Sequence, residues 1–511
     1  MHTHPDYDAV VVGSGPNGLS AAITLQRAGL SVLLLEARNT VGGGMRTAEL
    51  TLPGFRHDVC SAIHPMGVNS PVFRALPLRE FGLDFIEPPV AAAHPFDAAP
   101  AALLHHALPL TAQGLGADGD AYRRLMEPIL ENWPAIETTV LGPIRLHPRL
   151  VRVAPFGLRA LLPAQALARW QFGGEAARGL FAGMAAHSLL PLGQPATSAI
   201  GLVLMAQAHL KGWPLARGGS QAIADALAGY FVALGGKIET GVRVRSLKQL
   251  PLVRAVLFDL TPAQLLTLAG HRFSALYRWQ MARYRYGAGV FKIDYALDDP
   301  VPFADEGCQR AGTVHLGGTL AEIAAAERAV ARGQHPERPF VLLAQPSRFD
   351  PTRAPAGKHT AWAYCHVPNG STVDMTGAIE RQIERFAPQF RERVLARHVM
   401  NPADLERYNP NYRGGDINGG SADLTQLFTR PALRGSPYRT SARGLYLCSA
   451  STPPGGGVHG LCGYHAALRA LRDEFPKHNQ FFTHENPLHP GGHAELAAAP
   501  GRALAHRSEL G

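Results

Sequence analysis

The sequence has little cysteine, little charge and no long apolar run, and each shortage excludes something. Its five cysteines, Cys60, Cys308, Cys365, Cys448 and Cys462, are odd in number, far apart and never spaced C-x-x-C. That argues against a disulfide framework, a zinc site or a dithiol redox centre, and it suits a reducing cytoplasm. No metal site is expected. No 18 apolar residues run uninterrupted, so no membrane-spanning helix is expected, and the polar stretch from Met1 to Asp8 lacks the apolar core of a secretory signal. Charged residues are only 17% against 46% hydrophobic, the balance of a chain that folds rather than one that stays disordered. The 54 glycines and 41 prolines promise many loops without reaching a low-complexity composition. At 511 residues, about three domains, or two large interleaved ones, are expected, and no repeat of solenoid period is evident. The net charge of +9 favours an anionic partner: a phospholipid surface, a nucleic acid or a phosphorylated cofactor.

What is present is concentrated at the start. Asp8 to Val12 is a short β-branched run that reads as a strand covered on both faces. Gly13-Ser-Gly15-Pro16-Asn17-Gly18 follows it, then a helical stretch from Leu19 to Ala28, then Gly29 where a left-handed cap would close the helix. Ser31 to Leu35 is a second apolar strand and ends at Glu36. This order makes a complete βαβ unit. Gly13 permits the tight turn, Gly15 lets a pyrophosphate approach the backbone, and Gly18 lets helix and strand pack closely. The helix start offers free N–H groups and a positive dipole end, and Glu36 lies where a carboxylate can accept from ribose hydroxyls. An adenine dinucleotide is implied. Beyond Glu36, Ala37-Arg38 leads to a second glycine cluster, Gly42-Gly43-Gly44-Met45-Arg46.

Three segments together resemble the phytoene, or carotenoid, desaturase-like FAD oxidoreductases of the glutathione-reductase-like flavoprotein superfamily. They are Tyr7 to His64, Trp213 to Leu247 with Arg217-Gly-Gly-Ser220 and Val244, and Gly444 to Ala470 with Gly455-Gly456-Gly457-Val458-His459. The resemblance implies FAD contacts at Gly13, Gly15, Pro16, Asn17, Gly18, Glu36, Ala37, Arg38, Gly43, Gly44, Met45, Arg46, Val244, Ser449, Gly456, Gly457 and Val458. Ser449-Ala450 stands where relatives often carry Gly-Asp or Gly-Ala, so a carboxylate contact to the ribityl chain is not implied.

The fold class expected is α/β: a Rossmann-like FAD-binding domain assembled from discontinuous segments (1–94, 196–264 and 436–473), plus an α+β substrate domain with a mixed sheet (95–195 and 265–435). A mobile tail is expected over 474–511, whose histidines (His478, His484, His489, His493, His506) lack metal-ligand spacing. From Thr138 to Gly174 there is no acidic residue, while Arg145, Arg149, Arg152, Arg159 and Arg169 are mixed with apolar side chains. Such a segment suits an anionic bilayer, here the inner face of the cell membrane; its bland alternative is a helix pair with a solvated basic face. No nucleic-acid-binding fold is recognised.

The activity expected is desaturation of an apolar isoprenoid, a phytoene-type or hydroxylated acyclic carotenoid, with the flavin taking a hydride. His64 and His459 are candidates for proton handling near the flavin, with plain structural hydrogen bonding as their alternative. No second G-x-G-x-x-G follows a strand, so electrons are expected to pass to a quinone or oxygen rather than to nicotinamide. The rivals are a desaturase-like oxidoreductase of other substrate, an amine oxidase, for which the closing motif shows no aromatic pair, and a prenyl-lipid carrier of the GDP-dissociation-inhibitor type.

Overall fold

A computed structural model describes residues 6–143 and 150–478 of the chain. Arg145, Arg149 and the tail histidines His484, His489, His493 and His506 lie outside the described residues.

Among the described residues, a five-stranded sheet runs in the order Leu445–Leu447, Ala255–Phe258, Ala9–Val12, Val32–Leu35, Lys237–Glu239. Every neighbouring pair is parallel. Parallel strands need covers on both faces, and the side chains alternate accordingly. Ala9, Val11, Val32, Leu34, Ala255 and Leu257 pack with the helices Pro16–Arg27, Gln221–Ala233 and Leu461–Glu474. Val10, Val12, Leu33, Leu35, Val256 and Phe258 pack on the other side against Pro262–Ala269 and Ala275–Ala282. Each fully buried Val or Leu contributes about 1.5–3 kcal/mol. Residues Pro262 to Ala282 therefore belong to this layer, beyond the division expected at 264.

The second sheet has seven strands, ordered Val394–Met400, Gly289–Leu297, His359–Val367, Val341–Ala344, Ala311–Leu316, Val90–His94, Ala102–Leu104. It is mixed: Ala311–Leu316 runs parallel to Val90–His94 and the other pairs are antiparallel. Val90–His94 thus lies in the second sheet rather than in the segment expected to end at 94. The helix Thr197–Lys211 likewise packs with Glu175–Ala186 in the helical layer above this sheet, because Leu202, Met205 and Ala206 are buried among Phe181, Met184 and Ala185. The expected division at 196 falls just before that helix.

The chain past 473 begins anchored. Phe475 is buried in the first layer with the Arg254 guanidinium 4.4 Å from its ring centroid, and His478 Nδ1 lies 3.0 Å from the Ala28 carbonyl oxygen.

Candidate functional site

The strand Ala9–Val12 hands over to the helix Pro16–Arg27 through the turn Gly13-Ser14-Gly15, in which both glycines are required. Gly13 has φ +103°, a conformation that L side chains rarely adopt. A Cβ at Gly18 would lie 1.9 Å from the Gly13 carbonyl oxygen, and one at Gly15 would lie 2.7 Å from Asp259 Oδ2. The second glycine cluster closes over the first, with Gly43 so near that its Cβ would meet Gly15 Cα at 2.9 Å. Glu36 ties these pieces together. It accepts from Ser14 N–H at 3.0 Å, Ser14 Oγ–H at 2.5 Å and Arg38 N–H at 2.8 Å, and its Oε1 lies 3.1 Å from Arg46 Nη2.

These groups open onto a cavity of about 1410 Å³. Ligand pockets usually span about 300–1,000 Å³, so it has room for a dinucleotide and a second molecule. Gly13, Gly15, Pro16, Asn17, Glu36, Ala37, Arg38, Gly43, Gly44 and Arg46 line one end, joined by Val244, Ser449, Gly456, Gly457 and Val458 from the distant segments. Two expected contacts are corrected. Gly18 is withdrawn behind the turn, where its N–H donates to Asp259 Oδ2 at 3.1 Å, and Met45 is fully buried in the core of the first layer, so neither reaches the cavity. An adenine dinucleotide fits the remainder. Side chains at Gly15 or Gly43 would fill the cradle, the helix start faces it, and the buried Asn17 Oδ1 there has no hydrogen-bond partner.

Asp259, at the end of Ala255–Phe258, is the residue at this end that the sequence did not single out. Burial, with the nearby Glu36 charge, pushes its carboxyl up from the ordinary 3.8 to about 7, against the hydrogen bonds from the Gly18 and Gly15 amides. A neutral carboxyl is compatible with a diphosphate beside it. Between about pH 4 and 7 the native state holds a proton that the unfolded chain releases, so this group lowers stability as pH rises through that window. Asp259→Asn should remove the effect: denaturant titrations should show about 2–4 kcal/mol of stabilisation at pH 8 and almost none at pH 4. Equal differences at the two pH values would contradict it.

The other end of the cavity rests on the second sheet. Thr313, Leu342, Trp362 and Tyr364 line it, with Trp213 opposite. Cross-strand register puts Thr313, Ala344 and Trp362 in one row and His315, Leu342 and Tyr364 in the next, so one sheet face is turned to the cavity. Beside Trp362, on the adjacent strand and the same sheet face, lies a buried Lys292–Asp294 ion pair, with Lys292 Nζ 5.7 Å from the Trp362 ring centroid. Trp362 and Tyr364 meet edge to face at 5.0 Å, an aromatic pair that the closing motif lacks. Helix Leu150–Ala160 forms part of the cavity wall: Phe156, Gly157 and Ala160 line the cavity, while Val151, Arg152 and Leu158 are exposed.

His64 and His459 both line the cavity. Ser220 Oγ donates to the Ser61 carbonyl and so accepts from His64 Nε2–H at 2.8 Å; His459 Nδ1 accepts from Leu461 N–H at 3.0 Å. Burial lowers each to about 4, so both are neutral and weak as bases. All five cysteines are free, and burial raises the Cys60 thiol at the cavity wall.

The description of the NAD(P)-binding Rossmann-like domain matches residues 11–76. Along most of its length the chain is similar to pyridine nucleotide-disulfide oxidoreductase domain-containing protein 2 of Rattus norvegicus, with 28% identity covering 92% of this chain and 94% of the relative. Among solved structures it is similar to an oxidoreductase from Methanosarcina mazei, with TM-score 0.63 and 18% identity over 91% of this chain and 99% of that one. A putrescine oxidase triple mutant gives TM-score 0.61 and 17% identity over 92% and 99%.

Proposed function

We propose that this chain, which has the Rossmann-like α/β fold of FAD-dependent oxidoreductases with a second, mixed sheet, holds FAD and desaturates an apolar isoprenoid, with a carotenoid as the preferred class. One observation carries the reading: a single cavity runs from the glycine cradle to an end walled by Leu, Val, Ile, Trp and Tyr. Glu36 and Asp259, both at the cradle, are the acidic side chains that line it among the described residues. FAD bound there would supply the acceptor for a hydride from a saturated carbon, the proton leaving the neighbouring carbon. The chain's own part is to orient and to keep water out. The apolar far wall would bind hydrocarbon, and the helix Leu150–Ala160 covers part of the cavity. His64 and His459, neutral and weakly basic, fit a reaction that asks little of acid–base groups. Electrons would then leave to a quinone or oxygen. Expression in cells that accumulate phytoene or hydroxylated acyclic carotenoids tests the substrate class: longer-wavelength product spectra support it, and unchanged spectra with every precursor refute it.

A second reading, amine oxidation, is favoured by the Trp362–Tyr364 pair and by the fold shared with a putrescine oxidase. Peroxide release on adding putrescine to the purified protein separates it from desaturation.

An apolar substrate dissolves in membranes, and the outer face of the helix Leu150–Ala160 has a composition that suits contact with one. Val151 (87% exposed) and Leu158 (71%) stand outward on it with Arg152, and the next helix, Ala164–Gln171, exposes Trp170 (70%) and Arg169. No helix among the described residues is long and apolar enough to cross a bilayer. Charge reversal at Arg152 and Arg159 should release the protein from anionic vesicles in sedimentation, by roughly 1 kcal/mol of binding per arginine. Unchanged co-sedimentation would count against a membrane-facing helix.

A further inference from the structure

At the apolar end of the cavity lies a group of histidines, half-buried His187 with wholly buried His315 and His94, that the desaturation reading does not use. His187, at the end of Glu175–Ala186, lines the cavity and packs edge-on against Trp213 at 5.7 Å. Its Nε2 lies 3.0 Å from the Nε2 of His315, which is wholly buried on the sheet face beneath. His94 sits on the neighbouring strand, its Nε2 2.6 Å from the Gly318 carbonyl oxygen.

The hydrogen-bond partners settle where the protons are. A carbonyl oxygen only accepts, so His94 carries its proton on Nε2 and its Nδ1 is a bare lone pair. His315 Nδ1 is buried without a partner, and Gly183 lies against it: a Cβ there would be 2.8 Å from His315 Nδ1 and 3.1 Å from His94 Nδ1. A buried N–H without an acceptor is the costlier and rarer orphan, so His315 Nδ1 is the lone pair and its proton is on Nε2. His315 Nε2–H then donates to His187 Nε2. Burial holds both rings neutral, His187 being lowered to about 3, so the proton of His187 must be on Nδ1, the ring nitrogen left for the cavity.

We propose that His187 presents a fixed Nδ1–H donor to the apolar end of the cavity and there recognises an acceptor oxygen, hydroxyl or carbonyl, carried by an otherwise hydrocarbon substrate. His315 is the positioning residue that fixes this tautomer. The inference rests on the apolar-substrate reading above and narrows it to oxygenated members of the class.

Farnesol and farnesene are a matched pair of probes, alcohol and hydrocarbon, and quenching of tryptophan emission reports their binding beside Trp213 and Trp362. Relative to wild type, His187→Phe should reduce the farnesol-over-farnesene affinity ratio about five- to tenfold, the worth of one hydrogen bond, while leaving farnesene binding in place. His187→Asn, whose amide N–H can take the place of Nδ1–H, should restore most of the ratio. A ratio that His187→Phe leaves within twofold of wild type overturns the proposal. A second measurement needs no folded variant at that position: nitrogen NMR of histidine-labelled wild-type protein should show His187 protonated at Nδ1 and bare at Nε2, and the reverse pattern overturns it. Neither readout requires turnover. A protein without flavin that keeps a His187-dependent ratio would therefore refute the redox reading alone, and a flavoprotein without that ratio would refute this one alone.

Discussion

Gly15→Val should give protein that folds but comes off the column without flavin. Gly15 has φ −66°, so the backbone itself accepts a side chain; the obstacle is space. The first added carbon would stand 2.7 Å from Asp259 Oδ2, on the Asp259 side of the cradle, so a larger side chain there must displace that carboxyl or enter the cavity that both residues line. A branched side chain there displaces the diphosphate from the helix start and removes most of the affinity. Flavin absorbance after gel filtration checks the first half, and an unaltered circular dichroism spectrum checks the second. Full FAD occupancy in the variant would refute the assignment of this turn.

Arg353→Leu should cost about 3–5 kcal/mol of stability, the usual price of leaving one partner of a buried pair alone. Arg353 is fully buried, and its Nη2 lies 2.7 Å from Asp58 Oδ2. Burial works to raise the Asp58 carboxyl, yet Arg353, the Ser220 amide and the Thr47 hydroxyl hold it below its ordinary value. Asp58 belongs to the hairpin Thr47–Glu49 with Arg56–Asp58, and Ser220 opens the helix Gln221–Ala233, so one carboxylate binds the hairpin to that helix start. Stability from a lowered carboxylate is present at neutral pH and lost as pH falls through its folded value. Wild type should therefore lose this contribution in acid, and the difference between variant and wild type should shrink there. A midpoint in denaturant that barely moves at pH 7 would contradict the account.

The glycine cradle was legible in the sequence because it is local. Strand, turn, helix, strand and acid all fall between Ala9 and Glu36, and each takes the place its residue type demands. The closing glycines and Val244 were reached only through family resemblance, since nothing in their own spacing says that they meet the first turn. Met45 was misplaced because a residue inside a glycine-rich contact loop can face either way, and here it fills the core. The substrate end was not read. His187 and His315 meet across 128 positions, a pairing set by sheet order rather than by pattern. A signal did exist in His359–Val367, where Thr360, Trp362, Tyr364 and His366 alternate with Ala361, Ala363, Cys365 and Val367. Both faces of that strand are buried, so the alternation separates side chains with a polar group, three of them rings, from small apolar groups rather than inside from outside. The expected divisions at 94, 196 and 264 were displaced for a related reason: adjoining helices and strands are apolar throughout, and composition does not tell which sheet they cover.

Mild denaturation of the purified protein, followed by chromatography and quantification of what is released, tests the central claim most directly. The account expects FAD in near-stoichiometric amount, with yellow colour lost from the protein as it is freed. A well-folded protein that is colourless and releases no FAD, even after incubation with excess cofactor, would contradict it.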